Sequence, residues 1–399
     1  MSFKKILMPI ILLIIILVLT SYISSSAVSI TPPIETELSY TQELQDALDT
    51  ALEVGSVGHQ LGVSAAIIIP GHKIWVGVSG VSHPGTPITP EMLFNIGSTE
   101  KNFQAALVLK LTEEGLLSLH DPLNKWLPEY PNIDKNITIR QLLNHTSGIY
   151  DFVEHPDSPW RGGFHHLNTT RRWTTEEIIT TFIREPYFPP GDGWHYSTTN
   201  YLLLSMIIES VTSSQVSIEI KNRLLKLLNL EHTFGALAEP IPNDLIIAHP
   251  WYDADRDGNI EDMSSSSVIW LTSFIPNLTY SSAGDLAKWI KALYHDCRVI
   301  SQDSLDKMLT FYRPTIDPGE PTVSGYGLGV ADFSEFLGVQ VYGHGGSHYG
   351  YTTAALYLPE HGITICWLIN IGADSAAPVD AMMGSIWLSL SEVVFSHIN

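Results

Sequence analysis

The spacing of apolar positions divides the chain into strand-rich ends and a helix-rich middle. Leu44, Leu48, Ala51 and Leu52 recur at helical intervals, so a helix is expected ahead of the first strands. Residues 63–69 (VSAAIII) and 74–79 (IWVGVS) are short runs of β character. Between them Pro70-Gly71-His72-Lys73 reads as a hairpin turn. A helix is next expected over 102–114, with Phe103, Ala106, Leu107 and Leu111 at core spacing and Gly115 as its C-cap. From about 116 to 285 turn residues alternate with amphipathic helices, such as 201–211 and 217–228. Strand character returns at 338–345, 351–358 and 363–370, the last two joined by Pro359-Glu360-His361-Gly362, and a closing helix is expected over 378–395. No internal repeat interrupts this plan.

Strands at both ends with helices between them predict an α+β fold. Residues 38–115 and 285–399 are expected to build one antiparallel sheet flanked by helices, with residues 116–284 inserted as a mainly helical domain. With 399 residues, 44% of them apolar, the chain can bury a large core.

The first 27 residues follow a different rule. Lys4 and Lys5 precede an uncharged apolar run, 6–19, and then Ser24-Ser25-Ser26-Ala27. Such a segment predicts a signal peptide or an N-terminal membrane anchor, and an extracytoplasmic location for the rest. No cysteine lies near the cleavage site, which excludes a lipoprotein anchor.

The formal net charge of −21 argues against nucleic acid and anionic lipid as partners. A small-molecule or peptide substrate is expected instead, with membrane contact only through an uncleaved N-terminal segment. Cys297 and Cys366 are expected as two separately buried thiols, although an exported chain permits a disulfide. Sequons at Asn136, Asn144, Asn168 and Asn277 matter only in a host that glycosylates.

Candidate chemistry centres on Ser98-Thr99-Glu100-Lys101. Serine and lysine three residues apart at a helix start share one face, which brings an amine to a hydroxyl. The amine can take the hydroxyl proton, and unpaired N–H groups at the helix start favour developing negative charge. The same spacing recurs at Ser2 and Ser304 without comparable surroundings, so two further clusters carry the argument. Tyr196, in Pro190-Gly191…His195-Tyr196-Ser197-Thr198-Thr199-Asn200, offers a phenol that can relay protons next to a lysine. In Gly343-His344-Gly345-Gly346-Ser347, glycines let a substrate backbone approach a strand, where an N–H can serve as an oxyanion donor.

These three clusters, in this order, resemble the Ser-x-x-Lys, Tyr-x-Asn and Lys/His-x-Gly motifs of the serine β-lactamase/penicillin-binding-protein superfamily. The similarity is to its class C-like branch, with D-alanyl-D-alanine carboxypeptidases and esterases. Residues 111–131, 137–149 (ITIRQLLNHTSGI) and 357–370 strengthen the resemblance, which covers roughly residues 40 to 395. It implies the β-lactamase/transpeptidase-like fold and an acyl-enzyme mechanism without a cofactor. Ser98 would be the nucleophile, Lys101 its proton acceptor, and Tyr196 a partner in acid/base work that activates the deacylating water. The N–H groups of Ser98 and Ser347 would form the oxyanion hole, with Thr198, His344 and Gly346 lining the substrate site. Esters, D-amino-acid peptides and, weakly, β-lactams are the implied substrates. A binding or sensor module that deacylates very slowly or not at all is the alternative.

Two positions depart from the pattern. Thr198 stands where an asparagine is usual, and one hydroxyl cannot both donate and accept as an amide does, so amide substrates are expected to fare worse. Asn200, two positions on, has a different backbone direction. His344 replaces a permanent lysine cation with an imidazole that is mostly neutral at pH 7.

Other chemistries find less support. Gly345-Gly346-Ser347-His348-Tyr349 fails the Gly-x-Ser-x-Gly pattern at its last position. Sixteen histidines include no His-Glu-x-x-His, and His165-His166 is an isolated pair. Asp253, Asp255 and Asp257 followed by Gly258 copy the start of a calcium loop, but Ser264 stands where the bidentate glutamate belongs, so a solvated turn is expected.

Overall fold

The computed structural model describes residues 34–56, 61–158, 173–235, 241–253, 257–264, 279–313, 323–373 and 379–398. The N-terminal segment 1–27, His165-His166, Asn168, Asp255 and Asn277 lie outside the described residues.

Helix α1 (Ile34–Ser56) precedes strands β1 (Gly62–Ile68), β2 (Trp75–His83), β3 (Thr86–Pro87) and β4 (Phe94–Asn95). A 3-10 turn, Gly97–Thr99, leads straight into α2 (Glu100–Glu113). Helices α3 (Ile139–Leu143), α4 (Thr175–Phe182), α5 (Thr198–Thr212) and α6 (Val216–Ile220) follow. The last continues as a π turn over Lys221–Leu225, where the sequence predicts one regular helix over 217–228. Short strands β5 (Thr233–Gly235), β6 (Trp251–Tyr252), β7 (Glu261–Asp262) and β8 (Thr279–Ser281) precede α7 (Ala283–Ile290) and α8 (Gln302–Met308). Strands β9 (Gly325–Tyr326) and β10 (Ala331–Asp332), helix α9 (Ser334–Leu337), strands β11 (Tyr342–His348), β12 (Tyr351–Leu358) and β13 (Ile363–Ile369), and helix α10 (Val379–Ile398) complete the order.

The principal sheet is antiparallel, in the order β3-β2-β1-β13-β12-β11-β10-β9. Both chain ends therefore meet at its centre, where Val63 of β1 stands opposite Ile369 of β13. The expected α+β class holds. The strand expected over 338–345 lies further along, because Gly338 closes α9 and Tyr342 is the first residue to pair with β12.

Strand periodicity assigns each face its cover. Val63, Ala65 and Ile67 of β1, with Ile363, Ile365 and Trp367 of β13, meet Leu44, Leu48, Met382, Ile386 and Leu390 from α1 and α10. The intervening residues Ala66, Ile68, Cys366 and Leu368 face the opposite layer, which includes Phe103, Leu107 and Leu111 of α2. Helix α10 is long and apolar enough to cross a membrane, yet its buried stripe of Met382, Ile386, Leu390 and Val394 is core packing. Cys297 and Cys366 are both free thiols, the first half-buried and the second buried.

One buried side chain fixes α2 against this layer. Asn102 donates from Nδ2 to the Tyr294 hydroxyl at 2.6 Å and to the Gly329 carbonyl at 3.0 Å, and its Oδ1 accepts from Trp289 Nε1 at 2.9 Å. The Trp289 ring stacks on Phe103 at 4.0 Å. Replacing Asn102→Leu leaves those partners buried and unsatisfied, which costs about 2–4 kcal/mol. Urea unfolding is expected to register that loss, and a change below about 0.5 kcal/mol would contradict the assigned role.

Candidate active site

The turn Gly97–Thr99 lies against strand β11, and glycines permit the approach. A Cβ on Gly346 would stand 2.0 Å from the Ile96 carbonyl oxygen. Gly97 has φ +50°, and a Cβ there would stand 2.7–2.8 Å from the backbone N, C and O of Ser347. The backbone of Ser347 thus runs beside the turn that bears Ser98.

Lys101, in the first turn of α2, is 3% exposed. Its Nζ donates to Ser98 Oγ at 3.1 Å and stands 5.2 Å from the Tyr196 ring centroid and 5.5 Å from that of Tyr201. Tyr201 turns its hydroxyl away, to the Leu143 carbonyl at 2.9 Å. Among the described residues no carboxylate forms an ion pair with Lys101. The structure therefore brings amine, alcohol and phenol together from two distant segments.

The remaining expected residues divide. Thr198 opens α5 and is buried. Asn200 does not take over the missing amide's place. It is fully buried, donating to His145 Nδ1 at 3.0 Å and accepting from Ser147 Oγ at 2.7 Å. His344 is buried and tied at both nitrogens, to the Gly345 carbonyl through Nδ1 and to the Tyr326 hydroxyl through Nε2 at 2.7 Å. Burial, with Lys101 nearby, pushes its pKa down to about 3. His344 is thus a neutral acceptor for Tyr326, where sequence alone left it facing a substrate carboxylate. In the aspartate loop, Asp253 accepts from the Gly258 N–H at 3.2 Å and Asp257 from the Asn259 N–H at 2.8 Å. Among the described residues no cluster of acids, histidines or cysteines could hold a metal ion.

Further residues belong to this site. His145 is fully buried against the Tyr196 ring, with centroids 4.4 Å apart. Its signal was available in the segment LLNHTSG, but nothing in a single sequence assigns a histidine to a phenol about fifty residues on. Asp151 is buried near Lys101, and burial pushes its pKa up to about 6. Glu154 lies beside it and accepts from Tyr187 Oη at 2.6 Å.

The beta-lactamase family model matches residues 46–382. The chain belongs to that family. Its relatives include penicillin-binding protein 4* of Bacillus subtilis (strain 168), 28% identical over 298 residues, 72% of this chain. The match spans 63% of that relative's length. Among solved structures, the D-stereospecific amidohydrolase from Streptomyces sp. is 30% identical with a TM-score of 0.73, covering 86% of this chain and 98% of the other. The D-amino acid amidase from Ochrobactrum anthropi SV3, 24% identical with a TM-score of 0.74 over 89% of this chain and 99% of its own, shares the fold. The protein accordingly has the beta-lactamase fold.

Glu100 carries a consequence for stability. It is 5% exposed, and its Oε2 finds no hydrogen-bond partner among the described residues. Burial raises its pKa to about 8, against the pull of Lys101. The fold therefore prefers the protonated acid. That stabilisation is complete below the unfolded-state pKa of 4.5 and is lost as the pH rises through about 8. Glu100→Gln is expected to match wild type in Tm at pH 4 and to exceed it by about 3–6 °C at pH 8.5. Equal melting temperatures at both pH values would contradict a buried, titrating Glu100.

Proposed function

We propose that the protein hydrolyses amides and esters of D-amino acids through an acyl-enzyme on Ser98. The observation that carries this reading is the 3.1 Å separation of Lys101 Nζ from Ser98 Oγ, in a pocket walled by Tyr196 and Tyr201. In its neutral form Lys101 accepts the hydroxyl proton as Oγ attacks the carbonyl carbon. The N–H groups of Ser98 and Ser347 receive the oxyanion, a role supported by the close approach of their backbones. The tetrahedral adduct expels an amine or alcohol, which takes up the proton held by Lys101 and leaves an acyl-serine. Water then attacks the ester, giving its proton through Tyr196 and Lys101, and Ser98 Oγ departs with a proton restored.

The substrate class rests on two further supports. The 30%-identical relative is a D-stereospecific amidohydrolase. The neutral, fully engaged His344 offers no charge to a leaving-group carboxylate, which disfavours a D-alanyl-D-alanine carboxypeptidase. Amide cleavage then runs without the asparagine that Thr198 replaces.

Ser98→Ala is expected to abolish covalent labelling by a fluorophosphonate probe, and Lys101→Ala to lower kcat/KM by about 10²–10⁴-fold. Tyr196→Phe is expected to slow deacylation most, read as a larger burst relative to steady-state turnover of a p-nitrophenyl ester. An unchanged ratio would remove that role from Tyr196. With the acyl group held constant, D-alanine p-nitroanilide should exceed D-alanyl-D-alanine in kcat/KM by at least about tenfold between pH 5 and 9. The reverse preference would restore the carboxypeptidase reading.

A further inference from the structure

The segment from Asn144 to Phe152 is laced to the loop that carries Tyr196, and His145 supplies the central stitches. Its carbonyl accepts the His195 N–H at 3.1 Å and its Nδ1 accepts the Ser197 N–H at 3.2 Å. One residue therefore grips the backbone immediately before and immediately after Tyr196. Asn200 Nδ2 approaches the same Nδ1 at 3.0 Å, and Ser147 Oγ holds Asn200 Oδ1 at 2.7 Å. Thr199 Oγ1 adds two bonds, donating to the Tyr150 carbonyl at 2.8 Å and accepting the Phe152 N–H at 3.1 Å.

The conformation of His145 fits this grip. Its φ is +60°, a left-handed backbone that follows the end of α3 and is uncommon for a residue other than glycine. The capping box of Thr138 and Gln141 fixes the start of that helix, about two turns before His145. Because a backbone N–H can only donate, Nδ1 must accept, so the neutral ring carries its proton on Nε2. Nε2 is buried and makes no hydrogen bond among the described residues. The ring lies 4.4 Å from that of Tyr196, 4.7 Å from Tyr326 and 5.4 Å from Tyr201, centroid to centroid.

We propose that His145 is the positioning residue for Tyr196: its carbonyl holds the His195 N–H, and its neutral imidazole holds the Ser197 N–H and bears on the Tyr196 ring, setting the phenol against Lys101 and Ser98. This rests on the acid/base role of Tyr196 given above. The titratable groups that face His145 are the phenols of Tyr196, Tyr201 and Tyr326 and the basic side chains of Lys101, His344 and His195, and burial with these basic neighbours holds its pKa well below the ordinary value. An imidazolium would lose the acceptor that holds Ser197 and would place a second cation beside Lys101. The ring therefore stays neutral throughout the working pH range.

The test is a double-mutant cycle on p-nitrophenyl butyrate, with acylation and deacylation resolved as burst and steady-state phases. His145→Ala is expected to lower the deacylation rate, and with it kcat and KM, by about 10–100-fold while kcat/KM changes by less than about threefold. His145→Asn retains an acceptor and a residue that tolerates the left-handed backbone. It should recover at least about fivefold of that loss with an unshifted pH profile, and it keeps the test usable should the alanine variant fail to fold. On a Tyr196→Phe background, His145→Asn should cost less than about twofold more. Equal cost of His145→Asn on both backgrounds, with Tyr196→Phe itself impaired, would overturn the role of His145 and leave that of Tyr196 standing. A Tyr196→Phe variant as active as wild type would overturn both. An acid limb between pH 5 and 8 that disappears in His145→Asn would overturn the neutral imidazole.

Discussion

The backbone contact between the Gly97–Thr99 turn and strand β11 is the constraint on which the remaining structure depends. It joins the start of α2 to a strand near the other end of the chain, and no side chain larger than hydrogen fits at Gly346. Once that approach is made, Ser98 stands beside the backbone of Ser347, and α2 carries Lys101 to the same place. The geometry proposed for catalysis follows from a packing requirement that only glycine meets.

Around this contact, buried polar groups hold the elements at fixed offsets. Asn102 ties α2 to Tyr294, Trp289 and Gly329, while Gln104 ties it to α5 through the Tyr201 carbonyl and Ser205. Such satisfied polar groups confer less stability than the apolar layers do, but each admits only one arrangement of its partners. The electrostatics follow the same burial. His344 is kept neutral, Asp151 and Glu100 are raised, and Lys101 is left with aromatic walls.

Much of this was legible in the sequence, for identifiable reasons. The short apolar β runs at 63–69 and 363–370 and the helical spacing around Phe103 mark the elements that build the core. Ser98 and Lys101 could be paired because a helix fixes their spacing locally. What distance along the chain concealed were contacts between segments. His145 and Tyr196 are about fifty residues apart, and His344 meets Tyr326 through the sheet. His344 illustrates the limit: the family resemblance implied a place in the substrate site's wall, and only the structure shows it buried as an acceptor for a tyrosine. For Asn200 the backbone direction already argued against its replacing the absent amide, and its partners His145 and Ser147 were hidden by distance along the chain.

The central claim is that an acyl group rests on Ser98 during turnover. Acid-quenched reaction mixtures with D-alanine p-nitrophenyl ester, digested and mapped by mass spectrometry, test it most directly. The account predicts a D-alanyl adduct confined to the peptide containing Ser98, present within the first turnover and decaying as substrate is exhausted. Sustained turnover with the adduct on another residue, or with none trapped even in a Tyr196→Phe variant, would contradict it.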